Sequence, residues 1–169
     1  MNITKVLESS NVERFHSATG IANQTIAQHS WGVAMLCQYF KPDCSKELIL
    51  AALTHDCTEL ETGDIPATTK WKNPKLKLML DKMESEVEKE WGIKFKLSTD
   101  ETRLLKLCDA LEGMNYCIQR RKQGELEASY IFYRWSDFVS DKFIFINEKE
   151  HDFYYLLIME MGDINHGRK

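Results

Sequence analysis

His55 and Asp56 are neighbours in KELILAALTHDCTEL, the most apolar stretch of the chain. A carboxylate in such a segment is costly unless it is paired or bound to a metal. Read as one continuous helix, the stretch points these two side chains about 100° apart. Other helices must then close any shell around a shared ion. Glu59 falls four residues after His55 and three after Asp56, on the same helical face, where a third acid calls for a cation or a chemical task. Two further residues can complete the set. His29 opens a segment with apolar residues near helical spacing, and Asp109 sits inside RLLKLCDALEG. Two imidazoles and two carboxylates suit a first-row divalent ion such as Mn, Co, Fe, Ni or Zn, and a soft thiolate site is not implied.

A second group of residues has chemistry suited to an anionic sugar phosphate. Asp64 and Lys70 lie in ETGDIPATTK, directly after the apolar segment. The first can accept a hydrogen bond from a hydroxyl, and the second can bind phosphate. Upstream, Arg14, Phe15 and His16 are consecutive; Arg clamps phosphate through two donors and Phe lies flat on a sugar or base. Lys106 is three residues before Asp109 and shares its helix face. Taken singly, each has a plainer reading: a helix-start histidine, an Asp-Ile-Pro turn, a solvated lysine, a surface arginine beside a core phenylalanine, a surface salt bridge. His151 and His166 have no such neighbours and read as bystanders.

The elements that must position these groups are helical. The 169 residues, 43% hydrophobic and 28% charged, contain only 3 Pro and 8 Gly, which favours long helices over a turn-rich β-sandwich. A short helix is expected over about 3–10, followed by a polar stretch to Gln28. A second helix is expected from Gln28 to Phe40, stopped by Pro42. Ser45 is a suitable N-cap for the apolar segment, which Gly63 and Pro66 end. Residues 62–73 read as a loop. Pro74 can open an amphipathic helix through Leu76, Leu80, Met83 and Val87. Ser98 and Glu101 form a capping box for a helix to about Lys122, with Leu104, Leu105, Leu107, Leu111 and Met114 on its apolar face and Gly124 closing it. Two aromatic-rich helices, about 125–145 and 148–161, finish the chain. FIFI at 143–146 has strand propensity but no evident partner. The expected fold is all-α, a single-domain irregular bundle of about six to seven helices spanning residues 1–169.

Composition excludes several function classes. The net charge is −4, whereas a duplex-binding protein is normally basic, so nucleic acid is not the expected partner. The N-terminus lacks a signal peptide's apolar core, and the longest apolar run, Phe153 to Met159, is far shorter than the ~18 residues of a membrane span. The five cysteines contain no CxxC pair and read as reduced thiols of a cytoplasmic protein. No P-loop, dinucleotide-binding, nucleophile-elbow or HExxH motif occurs.

The order His29, then His55-Asp56, then Asp109 resembles the H…HD…D signature of the HD-superfamily metal phosphohydrolases. The compact bacterial 5′-deoxynucleotidases are the closer likeness. Their pattern reads here as RFH (14–16), QHSWGVA (28–34), HDCTELETGDIPATTK (55–70) and Asp109. The run at 24–34 resembles the phage branch that acts as dATP triphosphohydrolase. The resemblance covers roughly residues 14 to 122. Phe15 stands where these nucleotidases usually carry Trp, and Thr68 lies where many have a second Pro. Glu59 is followed by Leu60 rather than by the Asp of the ppGpp-hydrolase branch.

The resemblance implies the HD-domain fold and metal ligands at His29, His55, Asp56 and Asp109. It implies Glu59 as the residue that orients or deprotonates the attacking water, and Asp64 as the partner of the deoxyribose 3′-hydroxyl. Arg14 and Lys70 would hold phosphate, and Phe15 would pack on the sugar; Lys106, from its place on Asp109's helix face alone, is expected to help neutralise the phosphate. The expected cofactor is one divalent transition metal (Co, Mn or Zn). The expected substrate is a small-molecule deoxynucleotide, dATP or another dNTP, attacked at the α-phosphorus. The alternative is a 5′-deoxynucleotidase restricted to monophosphates. A homo-oligomer, dimer or hexamer, is also implied, with the aromatic C-terminal third as a lid or subunit interface.

Overall fold

The computed structural model describes residues 1–167. The longest helix, α7 (Thr99–Lys122), runs through the middle of the fold. Its first turn is fixed by the predicted capping box: the Ser98 hydroxyl accepts from the Glu101 amide, and the Glu101 carboxylate accepts from the Ser98 amide. Leu107, Leu111, Met114 and Cys117 of α7 are fully buried. They meet α2 (Ile26–Phe40), α3 (Lys46–Thr54), α8 (Glu127–Lys142) and α9 (Glu148–Asn165). The short α1 (Ile3–Ser9), α4 (Glu59–Thr62) and α5 (Ala67–Lys72), with α6 (Pro74–Trp91), make nine helices among the described residues. Seven of them reach seven residues or more, so the expected six to seven undercounts the set by its two shortest members. The all-α fold class holds.

Five local features differ from expectation. The apolar segment is not one helix. α3 ends at Thr54, and the amides of Cys57, Glu59, Leu60 and Glu61 each bond the carbonyl three residues back. His55 and Asp56 therefore stand in a tight turn rather than mid-helix. The i+3 bonding keeps the chain travelling onward, so apolar periodicity alone does not reveal the break. Gly63, at φ +71, ends α4 in a conformation that disfavours other residues.

Residues 62–73, expected as a loop, contain α5. β1 (Glu13–Arg14) and β2 (Gln24–Thr25) form an antiparallel bridge with Glu13 opposite Thr25 and Arg14 opposite Gln24. Helix α2 begins two residues earlier than expected, capped by Thr25 in a second capping box with Gln28. FIFI forms no strand. Phe143 and Phe145 pack on the core while Ile144 and Ile146 face outward. On α6 only Leu80 and Trp91 are buried, so its expected apolar stripe is mostly exposed. Among the described residues, no helix is long and apolar enough to cross a membrane.

Candidate functional site

Separate elements bring the sequence-predicted residues together. The first turns of α2 supply His29, which is completely buried. The turn after α3 supplies His55 and Asp56, and the middle of α7 supplies Asp109. His29 Nε2 lies 3.0 Å from Asp109 Oδ1 and 3.6 Å from Asp56 Oδ2. His55 Nε2 lies 3.4 Å from Asp56 Oδ2 and 3.9 Å from Asp109 Oδ1. One ligand atom each from His29, His55 and Asp109 falls within 4.8 Å of the other two.

The hydrogen bonds orient both rings toward this point. His55 Nδ1–H donates to the Ala52 carbonyl at 2.8 Å, and His29 Nδ1–H donates to Glu112. Each ring then presents the Nε2 lone pair to the carboxylates. His55 Nε2 is buried and has no hydrogen-bond partner among the described residues. Two imidazole lone pairs facing two carboxylates repel unless a cation lies between them. The donor set therefore fits a divalent metal ion, and its nitrogen and oxygen composition is that of a first-row site.

The electrostatics agree with this fit. Burial alone would raise Asp56, but His55, Arg14 and His29 hold it below the ordinary carboxylate range. Asp109, likewise opposed by burial, is held well below that range by the neighbouring His29 and His55. Burial works against charge on His55 too, yet Asp56 and Asp109 raise it to about 9, so in the metal-free chain Nε2 takes a proton where the ion would otherwise meet its lone pair. This cluster of acids attracts positive charge.

Beside the cluster opens a cavity of about 400 Å³. Arg14, Asp56, Glu59, Asp64, Lys70 and Asp109 line its polar side, and Phe15, Ile65, Trp71, Tyr130 and Trp135 its apolar side. Arg14, only 8% exposed, pairs with Asp56 and reaches within 4.0 Å of Asp109. Glu59 is buried at the start of α4, with Lys70 Nζ 3.5 Å from its Oε1 and no partner on Oε2 among the described residues. Burial, reinforced by Asp56 and Asp64, pushes its carboxyl up to about 9 against the pull of Lys70 and Arg14. Asp64 sits on the rim, 3.9 Å from His16.

Phe15 lines the cavity and stacks on Tyr116, ring centres 5.2 Å apart and planes 17° from parallel. Its φ of +63 is strained for an aromatic residue and costs about 1–3 kcal/mol. Lys106 is exposed and outside the cavity lining, the one predicted contact not brought to the site. His151 and His166 are exposed on and just after α9. Sequence reasoning missed Glu112, the buried partner of His29. Its position three residues after Asp109, on the same face of an apolar helix, was the available signal.

A helical bundle carrying an H…HD…D donor set beside an arginine-lined cavity is the arrangement of an HD phosphohydrolase. Residues 3–159 match the 5′-deoxynucleotidase YfbR-like family, and the chain belongs to that family. A curated relative, a dATP triphosphohydrolase of Cyanophage S-2L, is 29% identical over 115 residues, 64% of this chain. That match spans 65% of the phage protein's length. Among solved structures, the Cyanophage S-2L HD phosphohydrolase DatZ, bound to dA and one catalytic Zn2+ ion, superposes with a TM-score of 0.68 at 19% identity. The superposition covers 96% of this chain and 98% of that one, and shows the shared fold.

Proposed function

We propose that this chain is a metal-dependent deoxynucleotide phosphohydrolase that attacks the α-phosphorus, releasing deoxynucleoside and triphosphate from dATP or another dNTP and accepting dADP and dAMP. The observation that carries this reading is the convergence of two imidazole lone pairs and two carboxylates beside the free oxygen of buried Glu59. His29, His55, Asp56 and Asp109 would hold the ion. Bound there, a divalent Zn, Co or Mn polarises a phosphoryl oxygen and makes water more acidic.

The remaining steps belong to the chain. Glu59 Oε2 takes the proton of the attacking water as the new oxygen–phosphorus bond forms. The bond from phosphorus to the 5′-oxygen breaks, and that oxygen departs protonated. With a cation held beside Asp56, the Glu59 carboxyl is drawn down from the value of about 9 it has in the metal-free chain, so that Oε2 can take the proton and return it. Arg14 and Lys70 neutralise the phosphoryl oxygens. Asp64 accepts the 3′-hydroxyl, and Phe15, held rigid by Tyr116, packs on the deoxyribose. We infer that copies of the chain associate; exposed Tyr133, Tyr155, Leu156 and Met159 of the C-terminal third support this, and sedimentation velocity tests it.

The deciding experiment is a panel of dNMPs, dNTPs and rNTPs assayed with Zn, Co and Mn, with every product identified. Inorganic triphosphate from a dNTP supports the reading. Phosphate released from dNMPs alone supports the second reading, a monophosphate-restricted 5′-deoxynucleotidase, which the family description favours. Nucleotide binding without turnover under any metal overturns both.

A further inference from the structure

Behind the metal cluster lies a carboxylate that the proposed reaction does not use. Glu112 is only 6% exposed and does not line the catalytic cavity. A buried carboxylate usually meets Lys or Arg, but Glu112 has no such ion pair among the described residues. Its Oε2 accepts the Nδ1–H of His29, and its Oε1 accepts the Nε2–H of Gln24 at 2.8 Å. Gln24 is itself 2% exposed and is fixed on β2 opposite Arg14.

Space is reserved for this side chain. A Cβ on Gly32 of α2 would stand 2.6 Å from Glu112 Cγ and 3.1 Å from its Oε1. Gly32 is in the interior of a helix, where Ala is the stronger helix former, so the absence of a side chain there serves the neighbour rather than the helix.

We propose that Glu112 is a positioning residue for the metal centre. It holds the Nδ1–H tautomer of His29 and the orientation of the ring, so that the Nε2 lone pair faces Asp109 and Asp56. Gln24 and Gly32 in turn hold Glu112. The proposal rests on the metal reading given under the proposed function. Hydrogen-bond partners behind a ligating histidine typically change metal affinity by about 10–100-fold.

The test is Co2+ binding to the purified chain, measured by chelator competition and by visible ligand-field absorption, with unfolding temperature in chelator as the control for folding. Glu112→Ala is expected to weaken Co2+ binding by about 10–100-fold and to alter the ligand-field bands. Glu112→Gln keeps an oxygen that accepts from Nδ1–H and is expected to recover most of the loss. Gly32→Ala displaces Glu112 without removing it and is expected to weaken binding despite a better helix former.

Wild-type affinity and bands in a folded Glu112→Ala chain overturn the proposal. If that variant does not fold, wild-type affinity in both Glu112→Gln and a folded Gly32→Ala overturns it when the Gly32→Ala bands are also unchanged, while weakened binding in Gly32→Ala supports it. A wild-type chain that binds no Co2+, Zn2+ or Mn2+ overturns the metal reading itself, a separate result from the first.

Discussion

On one side of the cavity, α2 and α7 carry His29 and Asp109 out of the densest packing in the molecule, where Val33, Leu107, Leu111 and Met114 are fully buried. On the other side, α4 and α5 carry Glu59 and Lys70, and α6 lies behind them. None of the six residues of α5 is buried, and the 18-residue α6 buries only Leu80 and Trp91. Trp91, with Cys57 and Ile93, forms a small separate cluster that anchors the end of α6 beside the turn after Asp56. The contrast assigns different duties to the two sides. Metal ligands must keep their spacing to within tenths of an ångström: His29 and Asp109 stand on the rigid side, and His55 and Asp56 in the turn directly after α3, which packs on α2 and α7. Glu59 and Lys70 stand on short helices with few packed neighbours, where local opening costs least, whereas Arg14 and Phe15 reach the cavity from beside the main core.

Four substitutions can break or sharpen this comparison. The largest effect is expected from Glu59→Ala on the thin side, a fall in kcat of about 10²–10⁴-fold with metal still bound; steady-state kinetics and metal analysis of one preparation check it. Next is Leu111→Ala on the packed side, expected to cost about 2–5 kcal/mol in urea unfolding.

A smaller, pH-dependent effect is expected from Glu59→Gln in the metal-free chain. In the fold Glu59 keeps its proton to about 9, against 4.5 for the free group. The native state therefore binds more protons than the unfolded state across that window, and wild-type stability falls as pH rises through it. Glutamine removes this loss. The variant should melt above wild type in chelator, by a margin that widens from about pH 5 to pH 8; a margin that narrows would contradict the assigned environment. The smallest effect is expected from Leu78→Ala. This residue of α6 is 72% exposed, and the change should stay within about 0.5 kcal/mol. If Leu78→Ala cost as much as Leu111→Ala, the two sides would not differ as described.

Much of the packed side was legible in the sequence. The Ser98–Glu101 box and the spacing of Leu104, Leu107, Leu111 and Met114 placed α7, because capping and apolar periodicity are local signals. His29, His55, Asp56, Glu59 and Asp109 stood out because polar groups in apolar segments need partners. The rest depended on contacts distant in sequence. Gln24 pairs with Arg14 across ten residues, and two-residue strands leave no alternation to detect. Glu112 declares itself only once α2 packs against α7. The break after Thr54 preserves the direction of the chain, so Asp56 kept its neighbours though not its helix. Helix α5 follows Pro66 with Ala-Thr-Thr, whose β-branched residues are weak helix formers. Lys106 shares Asp109's helix but falls on the solvent side, a difference of angle that a spacing of three does not resolve.

The bridge between β1 and β2 has a consequence for how such a pocket can change. Arg14 and Gln24 are clamped opposite one another, and residues 15–23 leave and return through that clamp. The Tyr116 hydroxyl donates to the Ala22 carbonyl at 2.8 Å, a second fastening near its end. Phe15, Ser17 and Ala18 on this detour line the cavity. With both ends tied, doubling the length of a loop costs only about 0.6 kcal/mol in closure entropy. The detour is thus an exchangeable part: its length and side chains can be rewritten to reshape what the cavity admits, while the guanidinium before it and the amide after it stay in register with the metal ligands.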